Sequence, residues 1–182
     1  MTDAFAVMGI PRSLTLTDES LRDAFREAGK RCHPDAGGGE DEFSALKQAM
    51  EILSSPSRRL RHWLELQGIP VETRGTVDAH LMDLFAEVGN VTQSAQSLIR
   101  KREETQSALA LALLERQTHL CRESVEKAIA RVESAISEEC APFSDWQTDL
   151  PTDPALAVVS VRNLAFLEKW RANLRSIFPR LM

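Results

Sequence analysis

Two side chains that can exchange protons or form strong hydrogen bonds lie close together in the tripeptide His33-Pro34-Asp35. An imidazole titrates near neutral pH, and a carboxylate accepts hydrogen bonds. Pro34 biases His33 away from helical backbone angles, and the glycine-rich residues 36–39 continue as a flexible loop. The pattern therefore predicts an exposed tip that presents one imidazole and one carboxylate. The alternative is that both side chains only cap helices in a hairpin turn.

No set of residues typical of an enzyme or a metal site accompanies this pair. The sequence lacks His-Glu-x-x-His, a glycine-rich phosphate loop and a Gly-x-Ser-x-Gly elbow, so no nucleophile, base and orienting group can be assembled. Cys32, Cys121 and Cys140 form no Cys-x-x-Cys pair, which argues against a zinc or redox site. Cys32 falls on an apolar helix face and is predicted to be a buried structural thiol. We expect no enzyme activity, no catalytic residue, no metal and no cofactor.

A helix over residues 18–32 must position the tip from its N-terminal side. Thr17 is a suitable N-cap, and the acidic residues after it favour the positive end of the helix dipole. Apolar residues recur at helical spacing on one face, namely Leu21, Phe25, Ala28 and Cys32. Basic residues recur every fourth position on a second face, namely Arg22, Arg26 and Lys30. This second face is either a partner-binding surface or merely a solvated one.

Two more helices follow the tip. One begins near Glu40 and has an inner face of Phe43, Leu46, Met50 and Leu53. The next begins at Ser55-Pro56, because serine caps a helix well and proline suits the first helical position, and it ends at Gly68. On this helix we expect Leu60, Trp63 and Leu64 to face inward, and Arg58, Arg59 and Arg61 to be solvated. Residues 69–75 have the composition of a linker.

The remaining sequence predicts three long helices. One apolar stripe runs from Leu81 to Ile99 and is interrupted at Gly89-Asn90, and a second runs from Leu111 to Ile136. Residues 100–105 break the pattern and are predicted to form the first turn, and residues 142–154 are predicted to form a long proline-containing loop. The fold class is therefore all-α, with a helical hairpin domain at 1–70 and an antiparallel three-helix bundle at 76–182. A lone coiled coil over 106–139 is the alternative, which the lack of sustained heptads disfavours.

Composition restricts the partners and the location. A net charge of −5 and a pI near 5.5 argue against nucleic acid as the main partner, because phosphate binding requires a basic surface. No apolar run approaches the length of a membrane span, and the N-terminus lacks a basic-then-apolar leader. We expect a cytoplasmic protein that binds no membrane.

The hairpin resembles the J-domain of DnaJ-type co-chaperones. Residues 4–10 are similar to the first helix of that family, and the basic helix, the His-Pro-Asp tripeptide and the amphipathic helix follow in the same order. The family has a tyrosine before the tripeptide and a lysine after it, where this sequence has Cys32 and Ala36. The resemblance implies that the tip and the basic helix bind an ATP-driven chaperone of the DnaK/HscA class and stimulate its ATPase. The implied chaperone-binding residues are His33, Pro34, Asp35, Arg22, Arg26, Lys30 and Arg31.

The whole chain resembles the HscB-type branch of this family. The segments 61–68, 77–82 and 163–169 are similar to motifs of that branch, although the stretch between Met82 and Phe166 is longer. Ala86, Gly89 and Gln93 stand about where that branch carries glutamate. The resemblance implies delivery of an IscU-like iron–sulfur scaffold protein to the chaperone. The implied scaffold-binding residues are Leu81, Met82, Phe85 and Phe166.

Alternatives remain open for the bundle and its residues. The bundle could bind a different client or form a homodimer, and the hairpin could belong to a regulator that stimulates no ATPase. Leu81 and Phe85 could each belong to the core, since both lie on the first apolar stripe. Met82 lies off that stripe and is apolar and adaptable, which is typical of a transient interface.

Overall fold

A computed structural model of the chain describes residues 2–32, 39–72, 75–148 and 154–182, and these residues form helices and connecting turns without a strand. The α-helices are α1 Ala4–Met8, α2 Asp18–Cys32, α3 Glu40–Ser54, α4 Pro56–Leu66, α5 Met82–Glu104, α6 Ala108–Cys140, α7 Phe143–Thr148 and α8 Pro154–Ile177. Short 3-10 turns at Ala79–Leu81 and Phe178–Leu181 flank the bundle helices. The all-α fold class is confirmed. None of the helices in these ranges is long and apolar enough to cross a lipid bilayer.

The chain divides into two compact units. The first comprises Met1–Gly75 and Cys140–Ala165, and the second comprises Thr76–Glu139 and Phe166–Met182. The domain limits expected from the sequence, 1–70 and 76–182, stay a prediction. The first unit includes α7 and the beginning of α8 in addition to the N-terminal helices.

Helix α3 lies at the centre of the N-terminal part of the first unit, where it contacts α1, α2 and α4. The largest buried side chains here are aliphatic apart from one phenylalanine, and they are Phe5, Met8, Leu14, Leu21, Leu46, Leu53, Leu60 and Leu64. The predicted limits of α2 at Cys32 and of α3 at Glu40 are confirmed. The predicted cap of α4 is confirmed too, because the Ser55 hydroxyl accepts the Arg58 N–H and Pro56 occupies the first turn.

The prediction that Arg59 is solvated is wrong. Its side chain is only 6% exposed, and its guanidinium donates to the Leu53 carbonyl at 2.8 Å. A carbonyl in the last turn of a helix has no partner within that helix, so a neighbouring donor is favourable there. Arg59 thus joins the end of α3 to the beginning of α4.

Helix α7 occupies the region predicted as one long loop, so this part of the loop prediction is wrong. Residues 149–153 lie outside the described ranges. Phe143 of α7 is buried within the first unit. The Gln147 side-chain oxygen accepts hydrogen bonds from the Ser13 hydroxyl at 2.7 Å and from the Leu14 N–H. Through these contacts α7 packs against the segment between α1 and α2.

In the second unit, α5, α6 and the end of α8 form the predicted antiparallel bundle. Ion pairs join α5 to α6 through Glu87 and Arg131, and α6 to α8 through Glu133 and Arg175 at 2.5 Å. The aliphatic core of the bundle includes Leu84, Val88, Ala95, Leu98, Ile99, Val125, Ala128, Val132, Leu167 and Leu174. Helices α5 and α8 run in the same direction, since Arg180 after the end of α8 reaches Glu103 at the end of α5. Helix α6 runs in the opposite direction, since Arg131 in its C-terminal part pairs with Glu87 near the beginning of α5.

Two details of the bundle differ from the sequence prediction. Helix α5 continues to Glu104, so the turn is at 105–107 and the prediction of 100–105 is wrong. The second apolar stripe is not buried at its start, because Leu111 is exposed and Leu114 is only half-buried. Gly89-Asn90 lies within α5, and the helix continues through it.

Candidate partner-binding surfaces

The beginning of α2 is fixed by a reciprocal hydrogen-bonded cap. The Thr17 hydroxyl accepts the Ser20 N–H at 3.1 Å, and the Ser20 hydroxyl accepts the Thr17 N–H at 3.2 Å. Asp18 and Glu19 follow in the first turn, where the helix dipole favours negative charge. This cap sets where the helix begins, and so it sets which direction each basic residue faces.

The predicted basic residues of α2 are all exposed, but their surface is of mixed charge. Arg26 pairs with Asp23 at 3.0 Å, and Lys30 pairs with Glu27 at 2.6 Å. The hydrogen bond from Lys30, together with its charge, lowers the pKa of Glu27. The sequence analysis missed these acidic partners, although their spacing of three residues from each cation could have revealed them. Exposed pairs of this kind contribute little to stability and can exchange partners.

The end of α2 lies where the sequence predicted, but Cys32 is half-buried and not fully buried. Arg31 is exposed in this last turn, and its guanidinium lies 3.2 Å from the place where a Cβ on Gly9 would stand. His33, Pro34 and Asp35 lie outside the described residues. The described part of the surface is therefore Arg22, Arg26, Lys30 and Arg31.

A hydrogen-bonded histidine fixes the turn that precedes α5. The Asp78 carboxylate accepts the His80 N–H at 3.3 Å and lies 2.9 Å from the Nδ1 atom of the same ring. The Nε2 atom of His80 lies 3.1 Å from Glu139 at the end of α6. The hydrogen bond to Asp78, opposed by partial burial, raises the pKa of His80. This arrangement holds the 3-10 turn just before Met82.

The predicted scaffold-binding residues of the first bundle helix have different burial. Leu81 is 4% exposed and belongs to the core, whereas Met82 and Phe85 are 48% and 47% exposed. The sequence left Leu81 and Phe85 open between core and surface, because both lie on the same apolar stripe. The structure places Phe85 on the surface and Leu81 in the core.

An indole that the sequence analysis missed connects the remaining residue to this surface. Trp170 of α8 is 8% exposed, and its ring centroid lies 5.6 Å from that of Phe85 and 6.3 Å from that of Phe166. Phe166 itself is half-buried. The available signal was the spacing, since Trp170 follows Phe166 by one helical turn. We call Met82, Phe85, Phe166 and Trp170 the aromatic patch.

The N-terminal part of the chain is similar in sequence to a known domain family. The DnaJ domain family matches residues 3–62. The tetratricopeptide repeat and J domain-containing co-chaperone DNJ1 of Cryptococcus neoformans is 40% identical over 60 residues, which are 33% of this chain and 11% of that protein. The chaperone protein DnaJ of Synechococcus elongatus is 38% identical over 64 residues, and the match covers 33% of this chain and 22% of that protein. The chain thus spans less than a quarter of these curated relatives.

The chain therefore contains a DnaJ domain at residues 3–62. Over its full length the fold is similar to that of the chaperone HscB from Vibrio cholerae, with a TM-score of 0.62, 20% identity and coverage of 100% of both chains. An identity this low shows the fold alone. The expected J-domain and the expected HscB-like fold are both confirmed.

Proposed function

We propose that this protein is a co-chaperone that stimulates the ATPase of a DnaK/HscA-class chaperone and delivers an IscU-like iron–sulfur scaffold protein to it. The observation that carries the proposal is a DnaJ domain within a chain of HscB-like fold. In this role the protein regulates the ATPase of its partner and is not itself an enzyme. The cytoplasmic location expected from the sequence remains a prediction.

The chaperone-binding surface in this proposal consists of the tip and the basic residues of α2. His33, Pro34 and Asp35 contact the chaperone directly, and the exposed cations of α2 approach an acidic surface on it. Arg26 and Lys30 are paired within their own helix. Those exposed pairs can open at small cost, so the same cations can pair with the partner instead.

The scaffold-binding surface in this proposal is the aromatic patch. Met82 and Phe85 are about half exposed, which is unusual for two large apolar side chains so close together on one helix. An adaptable methionine beside aromatic rings has the composition of an interface core. Leu81 supports this surface from the core and does not contact the scaffold.

Single-turnover ATP hydrolysis by a DnaK/HscA-class chaperone tests both parts of the proposal. We expect this protein to accelerate hydrolysis, and we expect an IscU-like scaffold to increase that acceleration. His33→Gln should abolish the acceleration without loss of helicity, because loop tips contribute little to stability. His119→Gln is the matched control, since His119 is an exposed histidine on α6. Undiminished stimulation by folded His33→Gln protein would exclude the co-chaperone role.

A second candidate function, formation of a homodimer, is favoured by the exposed leucines of α6. Leu109, Leu113 and Leu120 lie on one side of the helix at spacings of four and seven residues, and each is more than half exposed. If these exposed leucines form a homodimer, the mass measured by light scattering should double as the protein concentration rises. Leu113→Gln should prevent this doubling. A monomer at all concentrations would exclude this candidate and leave the first one unaffected.

A further inference from the structure

The indole of Trp170 lies between two rings that come from different helices. Phe85 belongs to α5 and Phe166 belongs to α8, and each ring is in contact distance of the same indole. Their interplanar angles with Trp170 are 39° and 33°, so neither pair is stacked flat. Tilted pairs at such distances are favourable arrangements for aromatic side chains. Trp170 is therefore the only ring that joins the two phenylalanines within the part of the chain that the structure describes.

Burial differs sharply within this group of rings. Trp170 is 8% exposed, whereas Phe85 is 47% exposed. A partner that docks on the patch would meet Phe85 and Met82 first and would reach little of the indole. Any effect of Trp170 on binding is therefore indirect, because its indole limits the rotamers that the Phe85 ring can adopt. Side chains that are already ordered lose less entropy when a partner binds.

We infer that Trp170 is a positioning residue, which holds Phe85 and Phe166 as one preformed surface for an apolar segment of the client. This inference rests on the proposed scaffold binding and adds the residue and the chemistry that determine it.

The surroundings of the patch define the chemistry of the client segment. Gly89 lies one turn after Phe85 on α5, and a Cβ built on it would meet no atom within 4 Å. Ala86 is exposed beside it, so this stretch of α5 offers little polar surface. The acidic residue between them, Glu87, is paired with Arg131, and Asp83 is the exposed acidic residue beside Met82. The centre of the surface therefore suits uncharged aliphatic or aromatic side chains.

Calorimetric titration of an IscU-like scaffold into four proteins tests the inference. We expect Trp170→Leu to bind about tenfold more weakly than the wild type, since a branched aliphatic side chain cannot hold both rings. Trp170→Phe retains a ring at this position and should bind within about threefold of the wild type. The fourth protein is Leu174→Ala, which alters a buried residue one turn further along α8. It should lower the melting temperature but leave the affinity within about twofold at a temperature where it is folded.

The ionic strength dependence provides a second measurement. For an apolar contact, affinity should change by less than about threefold between roughly 0.05 M and 0.3 M salt.

The possible results separate the inference from the proposal beneath it. If the wild type binds the scaffold and Trp170→Leu binds equally well, the positioning role is excluded and the proposed function stands. If affinity falls in parallel with melting temperature across Trp170→Leu and Leu174→Ala, Trp170 is only a core residue and the inference is again excluded. If the wild type does not bind the scaffold, the proposed client is wrong and the inference falls with it.

Discussion

Two histidines have pKa values that their surroundings shift in opposite directions. The ring of His62 is buried, stacks on Phe5 and accepts the Ala4 N–H at 3.0 Å. Burial lowers its pKa from 6.5, although the nearby Asp3 carboxylate opposes this effect. His80 is more exposed, and its hydrogen bond to Asp78 raises its pKa from the same value. Relative to the unfolded chain, folding therefore favours the neutral form of His62 and the charged form of His80.

These shifts predict opposite pH dependences of stability. For His62 the unfolded chain binds the extra proton first, so its contribution is present above pH 6.5 and is lost as the pH falls below it. For His80 the contribution is present below pH 6.5 and is lost as the pH rises through the raised pKa of the folded state. Urea unfolding between about pH 5.5 and pH 8 measures both effects.

The variants His62→Gln and His80→Gln isolate the two contributions. The difference in the free energy of unfolding between wild type and His62→Gln should shrink as the pH falls. The corresponding difference for His80→Gln should grow over the same range. Equal slopes for the two variants would contradict the opposite pKa shifts.

At the scale of elements, the cations of α2 should determine the rate of association with the proposed chaperone partner. Reversing one of them with Arg26→Glu places a third negative charge beside Asp23 and Glu27. We expect slower association with the chaperone and a weaker dependence of the rate on salt, because opposite charges steer encounter over a Debye length of about 8 Å. Stopped-flow mixing at low and high salt measures this. Lys127→Glu, an exposed charge reversal on α6, should leave the rate unchanged.

Two glycines inside helices should be replaceable with a gain in stability. Gly29 of α2 and Gly89 of α5 have open space where a Cβ would stand. Alanine there should raise the free energy of unfolding by about 0.5–1 kcal/mol, because it restricts the unfolded chain without strain. Gly9 and Gly68 have φ angles of 70° and 79°, so alanine at either should destabilise the protein instead. Urea unfolding of the four variants would refute this account if all of them shifted in the same direction.

Helix ends could be predicted from the sequence because they depend on neighbouring residues. Thr17 and Ser55 cap their helices through hydrogen bonds that reach only three residues along the chain. The end of α2 at Cys32 was predictable because a proline disfavours helical angles at the residue before it. The sequence predicts the turn at 105–107 too early, because the charged residues 100–104 break the apolar pattern although they continue α5.

The extent to which a side chain is buried could not be predicted from periodicity. A spacing of three or four residues identifies a face of a helix but does not say how far a neighbouring helix covers it. Leu81 and Phe85 share such a face, yet one is in the core and the other is half exposed. Arg59 is buried only because a carbonyl at the end of α3 lies within its reach. Met82, Phe85 and Phe166 could be identified from the sequence, but the contact of both phenylalanines with Trp170 could not.

At the scale of the whole molecule, scaffold binding and folding should be separable. The double change Met82→Ala with Phe166→Ala should weaken scaffold binding by about 2 kcal/mol or more, as truncation of central interface residues does. The melting temperature should fall less than for Leu98→Ala, which opens a cavity in the bundle core. Calorimetric titration and thermal melting of the two proteins measure this. A double variant with wild-type affinity would remove the aromatic patch as the client surface.

The packing of Gln147 against Ser13 and Leu14 has a consequence for the order of events during synthesis. The first unit is built from two stretches of chain, and residues 76–139 are translated between them. At roughly 5–20 residues per second, the N-terminal stretch waits several seconds before α7 can reach it. Until then the Leu14 amide lacks the oxygen that accepts its hydrogen in the finished fold. By the time this contact forms, α5 and α6 have already been made, so the completed first unit never exists without them.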